Sequence, residues 1–383
     1  MGWHGTTTDT RRLATPQTRE REPSSPPSIF SPFLPFPTMS VSLALEREAA
    51  IKAVAAASRL CQGVFKKLIA DAASRDSATQ TKADQSPVTV ADYGAQAVMC
   101  ALIARDFPND LIVGEEDSKD LASDEAQPMR TLLLDLVNTV LEPKITESEL
   151  LAFIDRGNHT GGSTGRFWTM DPIDGTKGFL RGEQFAVCLA LVDEGQVRLG
   201  VMGCPNLPLG DGSGQLGTMQ VAVAGQGAFE LPLFPADGAQ VTERQIHAAA
   251  PAGTPLRFVE SVEAAHSDHS DSGRVAKMLD ITADPVRMDS QAKYASVARG
   301  DAAIYLRLPT RAGYEEKIWD HASGRLIVAE AGGQVTDVRG HALDFGQGRT
   351  LKNNIGVIAT SSPELQEKTV AAVMEVLKPK NLW

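Results

Sequence analysis

The sequence has few cysteines, no long apolar segment and fewer basic than acidic residues. Its four cysteines lie far apart and form no CxxC pair: Cys61, Cys100, Cys188 and Cys204. This spacing excludes a disulfide framework and a cysteine-rich zinc site, and it is typical of buried thiols in a reducing compartment. No apolar run approaches the ~18 residues that a membrane helix needs. Lys and Arg number 37 against 48 Asp and Glu, a formal net charge of −11, which argues against a nucleic-acid-binding surface.

The chain is long enough for more than one domain. It has 383 residues, whereas a single hydrophobic core usually stops growing near ~250–300 residues. Hydrophobic residues make up 42% of the sequence and charged residues 22%, an ordinary composition for a soluble globular protein. We therefore expect one large domain or two medium ones.

Residues 1–38 differ in composition from the rest of the chain. They contain seven of the 22 prolines, which interrupt helix and strand hydrogen bonding, so we expect a disordered leader. A signal peptide is not indicated, because no continuous apolar core follows a basic start. Four arginines would suit a mitochondrial presequence, but three acidic residues among them argue against it. Met39 stands just before the first foldable segment, and we favour a wrongly assigned start upstream of it.

Hydrophobic periodicity predicts alternating helices and strands beyond Met39. Apolar spacings of three, four and seven predict helices at about 42–68 and 92–105, with Ser42 capping the first. Further helices are expected at 129–141, 146–155, 322–331 and 362–377, two of them with start signals at Thr146 and at Ser362-Pro363. Strands are expected at 111–113, 167–170, 185–192, 197–203, 219–224, 228–231, 334–338 and 355–360.

This mixture of elements predicts an α/β or α+β fold with two subdomains. Gly, Pro and Asp concentrate between positions 205 and 217, which marks a candidate boundary. We therefore divide the folded chain into an N-terminal α+β subdomain, 39–210, and a C-terminal α/β subdomain, 211–383.

The most informative segment is the turn after the strand at 167–170. Asp171 and Asp174 stand three residues apart with Pro172 between them. Gly175 permits a reversal that brings Thr176 beside the two acids. Two ionised carboxylates this close repel each other, which suggests a cation between them, and oxygen ligands at a strand end suit Mg²⁺. Taken alone, such a motif is more often an Asx turn in which each Asp caps nearby amides.

Other acidic residues occur at comparable places in the sequence. Glu115 and Glu116 follow a short apolar strand, and each alone is typical of a solvated surface. Asp320 and Asp92 stand near the start of predicted helices, where the simple interpretation is an N-cap. Each of these signals is weak, but together they place five or six acids at the ends of strands or the starts of helices.

Three short motifs together resemble a known superfamily. They are GEE at 114–116, DPIDGT at 171–176 and WDHASG at 319–324. In this order they resemble the lithium-sensitive, magnesium-dependent phosphatases that include inositol monophosphatase. Segments 167–192 and 288–324 are similar to the 3′(2′),5′-bisphosphate nucleotidases within it, and the resemblance covers Met39–Leu377. It implies a layered αβαβα sandwich of the sugar-phosphatase type, with the metal site in the N-terminal subdomain and nucleotide-binding residues in the C-terminal one.

The resemblance also implies a metal-binding role for five residues. Glu115 and Asp171, with the backbone carbonyl of Ile173, would hold a first Mg²⁺. Asp171, Asp174 and Asp320 would hold a second, and a third, weaker ion would face Glu115. In-line displacement at a phosphomonoester requires charge neutralisation on the entering and leaving oxygens, which a metal pair provides.

By the same resemblance, Asp92 and Thr176 would orient and deprotonate the attacking water, with Glu116 behind the metal ligands. Ser290, Lys293 and Arg307 would bind the 5′-phosphate and ribose. A Lys and an Arg together suit a phosphate dianion.

Three further residues complete the implied substrate contacts. His266 would approach the nucleotide, and Thr176 and Asp320 would also contact the substrate.

The implied reaction is Mg²⁺-dependent removal of the 3′-phosphate from 3′-phosphoadenosine 5′-phosphate, and also from its 5′-phosphosulfate form, in sulfate assimilation or nucleotide detoxification. Li⁺ and Na⁺ would inhibit it. Two alternatives stay open: an inositol phosphate phosphatase with the same metal core, and a catalytically silent nucleotide sensor. We expect a small-molecule nucleotide as the partner, and neither nucleic acid nor a membrane. We expect the protein to be a monomer, although the sequence is also compatible with a dimer. A cytoplasmic location is expected, or a mitochondrial one if the leader is real.

Overall fold

The computed structural model describes residues 1–6, 42–70, 87–236, 238–250, 253–262 and 269–380. The chain divides into two compact units, Met1–Phe36 and Pro37–Trp383. Of the first unit, residues 1–6 are exposed and have no regular structure. The predicted disorder of the rest of the leader lies outside the described residues.

The second unit contains helices and strands throughout its described ranges. The α-helices are α1 (Ala44–Val64), α2 (Pro87–Asp106), α3 (Gln127–Val137), α4 (Glu147–Asp155), α5 (Thr176–Arg181), α6 (His269–Met278), α7 (Ala292–Ala298), α8 (Ala322–Glu330) and α9 (Pro363–Leu377). A π-helix, Phe65–Ala70, continues α1, and 3-10 turns occur at Lys119–Leu121, Asp124–Ala126 and Lys378–Lys380. The strands are β1 (Leu111–Val113), β2 (Arg166–Asp174), β3 (Ala186–Asp193), β4 (Gln196–Pro208), β5 (Leu216–Val223), β6 (Ala228–Pro232), β7 (Arg244–Ile246), β8 (Phe258–Glu260), β9 (Val286–Arg287), β10 (Ile304–Arg307), β11 (Gln334–Thr336) and β12 (Val357–Thr360).

The strands form two sheets. The larger has seven strands in the order β1-β2-β3-β4-β5-β6-β7, and it is antiparallel except for the parallel pair β1 and β2. The smaller has five strands in the order β11-β12-β10-β8-β9, with parallel pairs on both sides of β8 and antiparallel pairs on both sides of β12.

Helices and sheets alternate in five layers. Helices α1 and α2 cover one face of the larger sheet, α7 and α8 lie between the two sheets, and α6 and α9 cover the outer face of the smaller sheet. The side chains of strand β3 show that the larger sheet is covered on both faces. Val187 and Leu189 enter the core beneath α1 and α2, whereas Cys188 and Ala190 enter the core shared with α7 and α8. Both faces are therefore apolar, as expected of a strand that is covered on both sides. The predicted layered α/β fold is confirmed.

The larger sheet continues past the predicted subdomain boundary. Strands β4 and β5 flank residues 210 and 211 and pair with each other, with Gly203 opposite Met219. The larger sheet extends to Ile246, and the smaller sheet begins at Phe258. The division at 210/211 stays a prediction, and it falls within one sheet.

Several local predictions can be compared with the structure. The capping box of α4 is present, with Thr146 Oγ1 accepting from the Glu149 N–H at 3.3 Å. Ser362 Oγ accepts from the Leu365 N–H at 3.2 Å and begins α9 as predicted. The four cysteines are buried free thiols, also as predicted.

The predicted N-cap of α1 was wrong, and the simple N-cap interpretation of Asp92 and Asp320 does not hold. Leu43, not Ser42, is the N-cap residue of α1, and its side chain makes no capping bond. Helix α2 begins at Pro87, so Asp92 lies inside the helix and does not cap it. Helix α8 begins after His321, so Asp320 is not its N-cap. Among the described helices, none is both long and apolar enough to cross a membrane.

Candidate active site

The DPIDGT motif is the end of β2 and the start of α5. Asp171 lies in the buried part of the strand, and Asp174 is its last residue. Gly175 has φ 88°, a left-handed conformation that favours glycine. A Cβ at Gly175 would also lie 2.8 Å from the Cβ of Ser290. The reversal therefore needs glycine for two reasons, and it places Thr176 at the first position of α5.

The parallel pairing of β1 and β2 brings the GEE motif to the same edge of the larger sheet as the DPIDGT motif. Val113 pairs with Thr169, so Glu115 and Asp171 each stand two residues further along neighbouring parallel chains. The carboxyl ends of parallel strands meet at one edge of a sheet, which is a common place for ligands. Two motifs that are far apart in the sequence thus supply neighbouring carboxylates.

A buried glutamine on α2 holds the GEE loop. Gln96 Nε2 donates to the Glu116 carbonyl at 2.7 Å and to the Ile154 carbonyl at 2.9 Å. The Glu116 N–H donates back to Gln96 Oε1 at 3.0 Å. A Cβ at Gly114 would lie 2.5 Å from the same Oε1, so the glycine of the motif makes room for this amide. Sequence reasoning missed Gln96, because an apolar-patterned helix gives no sign that one polar member faces a loop.

Arg349 joins the GEE loop to the WDHASG motif. Its guanidinium donates to the carbonyl oxygens of Gly114 and, at 3.0 Å, of His159. It also lies 4.8 Å from the ring centre of Trp319, the residue before Asp320. Such a cation–π contact adds to the hydrogen bonds. No motif marked Arg349, which is remote in sequence from everything it contacts.

These segments line one cavity of about 420 Å³. Nine of the residues predicted to be functional line it: Glu115, Asp171, Ile173, Asp174, Thr176, Ser290, Lys293, Arg307 and Asp320. Asp92 is half-buried and does not line the cavity, although it is close enough to Glu115 and Glu116 to feel their charges. His266 lies outside the described residues.

The described residues that line the cavity include more acidic than basic side chains, and the carboxylates among them form its acidic wall. Burial, followed by the charge of Glu115, raises the pKa of Asp171 well above its usual value. Loss of hydration and the charge of Glu116 raise the pKa of Glu115 to about 7. Loss of hydration, partly offset by Arg307, raises the pKa of Asp320 to about 7. Like charges held together in this way favour binding of a cation.

One atom of this wall lacks a hydrogen-bond partner. Asp171 Oδ1 is buried, and no hydrogen bond reaches it from the described part of the chain. Buried polar atoms are nearly always satisfied, so an orphaned carboxylate oxygen among other carboxylates calls for an explanation. An all-oxygen donor set with one unsatisfied oxygen fits a hard divalent cation such as Mg²⁺.

A cationic wall adjoins the acidic one. Lys293 on α7 is buried, with Nζ 5.3 Å from the ring centre of Tyr305 and 3.4 Å from the Met288 carbonyl oxygen. Burial lowers the pKa of Lys293 to about 8. Arg307, the last residue of β10, donates through Nε to Glu316 at 2.7 Å, and its Nη2 lies 3.7 Å from Asp320 Oδ2. Two cations therefore lie next to the acidic wall.

Between the two walls, Ser290 has φ 68°, an unusual conformation for a residue with a side chain. Strained backbone of this kind clusters at functional sites.

The adjacent Asp289 also lines the cavity and accepts hydrogen bonds from Arg181 and, at 3.3 Å, from the Val262 N–H. Sequence reasoning did not assign Asp289, although its place beside Ser290 could have indicated it. Lys177, the second residue of α5, also lines the cavity and was missed.

A second group of possible metal ligands lies beside this cavity. Atoms of Glu316, Asp320 and His321 come within 4.8 Å of one another. Glu316 already accepts from Arg307, and the hydroxyl of Tyr294 lies 2.7 Å from His321 Nδ1. The His321 hydrogen bond and Arg307 outweigh burial and hold the pKa of Glu316 down to about 2. Since this group has its own cation, the orphaned oxygen of Asp171 marks the better metal position.

A sequence model of the inositol monophosphatase family matches residues 45–378. The chain belongs to the inositol monophosphatase family. This confirms the superfamily indicated by the three motifs. The family is metal-dependent, in agreement with the donor set of the cavity.

Relatives within the family carry a more specific name. The chain is 45% identical over 347 residues to a Schizosaccharomyces pombe protein named 3′(2′),5′-bisphosphate nucleotidase, covering 88% of this chain and 97% of that protein. Proteins of the same name from Oryza sativa and Emericella nidulans are 44% and 43% identical, each covering at least 87% of this chain and 96% of the relative.

Solved structures share the fold at lower identity. An inositol monophosphatase from Zymomonas mobilis has a TM-score of 0.54 at 19% identity, covering 87% of this chain and 98% of that one. An inositol monophosphatase from Thermotoga maritima has a TM-score of 0.53 at 22% identity, again covering 87% and 98%. At these identities the likeness shows the inositol monophosphatase fold.

Proposed function

We propose that this protein is a Mg²⁺-dependent 3′(2′),5′-bisphosphate nucleotidase. It removes the 3′-phosphate of 3′-phosphoadenosine 5′-phosphate to give AMP and phosphate, and it also acts on the 5′-phosphosulfate form. The observation that carries the proposal is one cavity in which a cluster of carboxylates adjoins the buried Lys293 and the Arg307 guanidinium. A substrate with a phosphate at each end suits such a pair of walls. The name shared by relatives at 43–45% identity supports the same reaction.

The acidic wall holds the metal ions in this proposal. Glu115, Asp171 and the carbonyl oxygen of Ile173 would hold one Mg²⁺, and Asp171, Asp174 and Asp320 would hold another. Glu115 would also contribute to holding a third, weaker ion. Bound Mg²⁺ supplies positive charge that stabilises the phosphoryl group and acidifies water. The orphaned Oδ1 of Asp171 supports its place as the shared ligand.

Asp92 and Thr176 act on the water nucleophile. Burial and the charges of Glu116 and Glu115 raise the pKa of Asp92, which increases its affinity for a proton. A general base is most effective when its pKa approaches the working pH. Thr176 lines the cavity at the start of α5, where its hydroxyl can pass a hydrogen bond between water and a carboxylate.

The cationic wall binds the far end of the nucleotide. Arg307 and Lys293 neutralise the 5′-phosphate, and the Ser290 turn contacts the ribose. Arg is suited to phosphate because its planar guanidinium donates two parallel hydrogen bonds. An inositol monophosphate has no second phosphate that could interact with Lys293 and Arg307.

Phosphate release from a substrate panel tests the proposal. The panel contains 3′-phosphoadenosine 5′-phosphate, its 5′-phosphosulfate form, AMP and inositol phosphates, each with Mg²⁺ in the presence and absence of Li⁺ and Na⁺. We expect fast release from the two bisphosphate nucleotides and inhibition by Li⁺, and more weakly by Na⁺. Preferential hydrolysis of inositol phosphates would favour the inositol phosphatase, and no release from any compound would favour a silent sensor.

Substitutions test the roles proposed for the two walls. Arg307→Ala and Lys293→Ala are expected to lower kcat/KM for the nucleotides by about 10-fold or more, on the order of a lost charged hydrogen bond. Asp174→Ala is expected to abolish phosphate release. Unchanged nucleotide hydrolysis in both cation variants would contradict the nucleotide assignment, and activity that survives Asp174→Ala would contradict the metal assignment.

The proposal extends to the state of the protein in the cell. We propose a monomer in the cytoplasm with a small nucleotide as its ligand and with no nucleic-acid partner, in keeping with the net charge of −11. Light scattering after gel filtration tests whether the protein is a monomer. Fractionation of cells that express the full chain tests its location. A mitochondrial fraction would favour residues 1–38 as a presequence.

A further inference from the structure

Gln291 is a buried polar residue between the acidic and cationic walls. It is 2% exposed and stands between Ser290 and α7. Its side chain uses both ends of the amide. Nε2 donates to the Trp319 carbonyl at 2.9 Å, and Oε1 accepts from Ser323 Oγ at 2.8 Å and from the Gly324 N–H at 3.2 Å. These bonds tie Gln291 to both sides of Asp320.

The backbone of the same residue reaches the other acidic motif. The Gln291 N–H donates to Asp174 Oδ2 at 2.6 Å. One buried residue thus contacts Asp174 directly and holds the two ends of the segment that carries Asp320. Asp174 belongs to the larger sheet and Asp320 to the turn before α8, and both positions therefore depend on a third segment of the chain.

We propose that Gln291 is a positioning residue that couples Asp174 to Asp320 and so sets the spacing of the two carboxylates for a shared cation. This inference rests on the proposed metal site. Groups that orient metal ligands typically change metal affinity by about 10–100-fold when they are removed. Gln291 differs from an ordinary core glutamine because its partners flank one proposed ligand and its own N–H binds another.

Gln366 provides a matched control. It is also buried, and its Nε2 donates to Thr336 Oγ1 at 2.7 Å and to the Ile358 carbonyl at 3.2 Å. These bonds lie in the smaller sheet and its outer helix, away from the cavity. Gln366→Met and Gln291→Met therefore remove comparable buried amides, and only the second removes one between the two carboxylates.

The test is direct binding of Mn²⁺, measured by electron paramagnetic resonance on the substrate-free full chain, with thermal unfolding in parallel. Mn²⁺ shares the preference of Mg²⁺ for oxygen ligands. We expect both variants to lower the melting temperature. Gln291→Met should weaken Mn²⁺ binding about 10-fold or more, and Gln366→Met should leave it within twofold of the wild type. The Mg²⁺ concentration needed for half-maximal activity should rise in parallel for Gln291→Met alone.

A milder variant covers the case in which Gln291→Met does not fold. Ser323→Ala removes one hydrogen bond to Gln291 Oε1, and we expect a smaller but measurable loss of Mn²⁺ affinity. Wild-type affinity in Gln291→Met or, if that variant does not fold, in Ser323→Ala would overturn the coupling. Equal weakening in Gln366→Met would overturn it as well. A wild-type protein that binds no Mn²⁺ would instead contradict the proposed metal site itself.

Discussion

At the scale of single residues, more acidic than basic side chains line the cavity in the described part of the chain. Asp171 is almost fully buried with one oxygen that has no partner among the described residues, and Lys293 is buried with a lowered pKa. Each would be costly in isolation, because burying an unpaired charge carries a large penalty. Both costs are offset when a cation meets the first and a phosphate meets the second. These two residues each lead to a prediction.

Asp171→Asn removes one charge from the acidic wall at nearly constant volume. In the absence of metal we expect the variant to be more stable, because a buried carboxylate among like charges destabilises the folded protein. It should lose the stabilisation that Mg²⁺ gives the wild type, and its activity should fall by about 10²-fold or more. Thermal unfolding in chelator and in Mg²⁺ measures the first two effects. A metal-free variant less stable than the wild type would contradict this account.

Lys293 predicts a pH dependence of substrate binding. Its pKa is lowered to about 8 by burial, so in the free protein the ammonium is charged below pH 8 and loses its proton above it. A phosphate prefers the charged form, and KM for the nucleotide should therefore rise as the pH increases through about 8. Lys293→Arg should move this rise to higher pH, because guanidinium does not titrate in that range. KM profiles at saturating Mg²⁺ check the prediction, and an unchanged profile in Lys293→Arg would assign the rise to another group.

At the scale of elements, the site depends on close approach between the larger sheet and the middle helices. A Cβ at Gly200 on β4 would lie 2.9 Å from the Ser323 carbonyl oxygen and 3.0 Å from its Cα, so helix α8 packs directly on the strand backbone. The sequence signal for this contact is weak, because glycine in a strand equally marks a bulge. The predicted strands of the larger sheet agree with the structure to within a few residues, since long apolar runs bounded by turns are strong signals.

Gly200→Ala should separate α8 from β4. We expect a loss of about 1–3 kcal/mol, the usual range for overpacking against atoms that cannot move aside. Gly63→Ala is the matched control: it lies in α1, and among the described residues no atom beyond its chain neighbours and its own helix backbone lies within 4 Å of the position that the added methyl group would take. Alanine is favoured over glycine in a helix by about 0.5–1 kcal/mol. Urea unfolding should therefore move in opposite directions for the two variants. A neutral Gly200→Ala would show that α8 can shift without cost.

Several of the shorter elements were missed because so few residues give a weak periodic signal, although the equally short strands β1, β11 and β12 were predicted. Strand β9 has two residues, β7 and β8 have three each, and β10 has four. Helix α7, with seven residues, is buried throughout and has no polar face to reveal its turn. These elements exist because neighbouring layers cover them, and they include the carriers of Lys293 and Arg307.

At the scale of the whole molecule, the cavity joins three of the five layers. The larger sheet supplies Asp171 and Asp174, the middle helices supply Lys293, and β10 of the smaller sheet supplies Arg307. A ligand that bridges the walls therefore adds a link between layers that packing and hydrogen bonds already join. Metal and nucleotide should each stabilise the folded state by mass action.

We expect Mg²⁺ with AMP to raise the melting temperature more than either one alone. At about 100 times its Kd, a ligand adds about 2.7 kcal/mol to the free energy of unfolding. Arg307→Ala should retain the Mg²⁺ shift and lose most of the additional shift from AMP. Differential scanning calorimetry measures both. Equal AMP shifts in the variant and the wild type would place the nucleotide elsewhere.

Sequence motifs alone were enough to predict the layered α/β fold, the family and, except for Asp289, the acidic residues of the cavity. A phosphate-transfer site needs carboxylates at strand ends and glycines at reversals, and both leave a local pattern. Tertiary structure alone identified Gln96, Gln291 and Arg349, and it moved Asp92 from a helix cap to the interior of α2. The reason is that a hydrogen bond to a remote backbone carbonyl leaves no trace in local spacing. The sequence by itself determines which residues carry charge. The distances between those charged groups depend on contacts between layers, which only the tertiary structure provides.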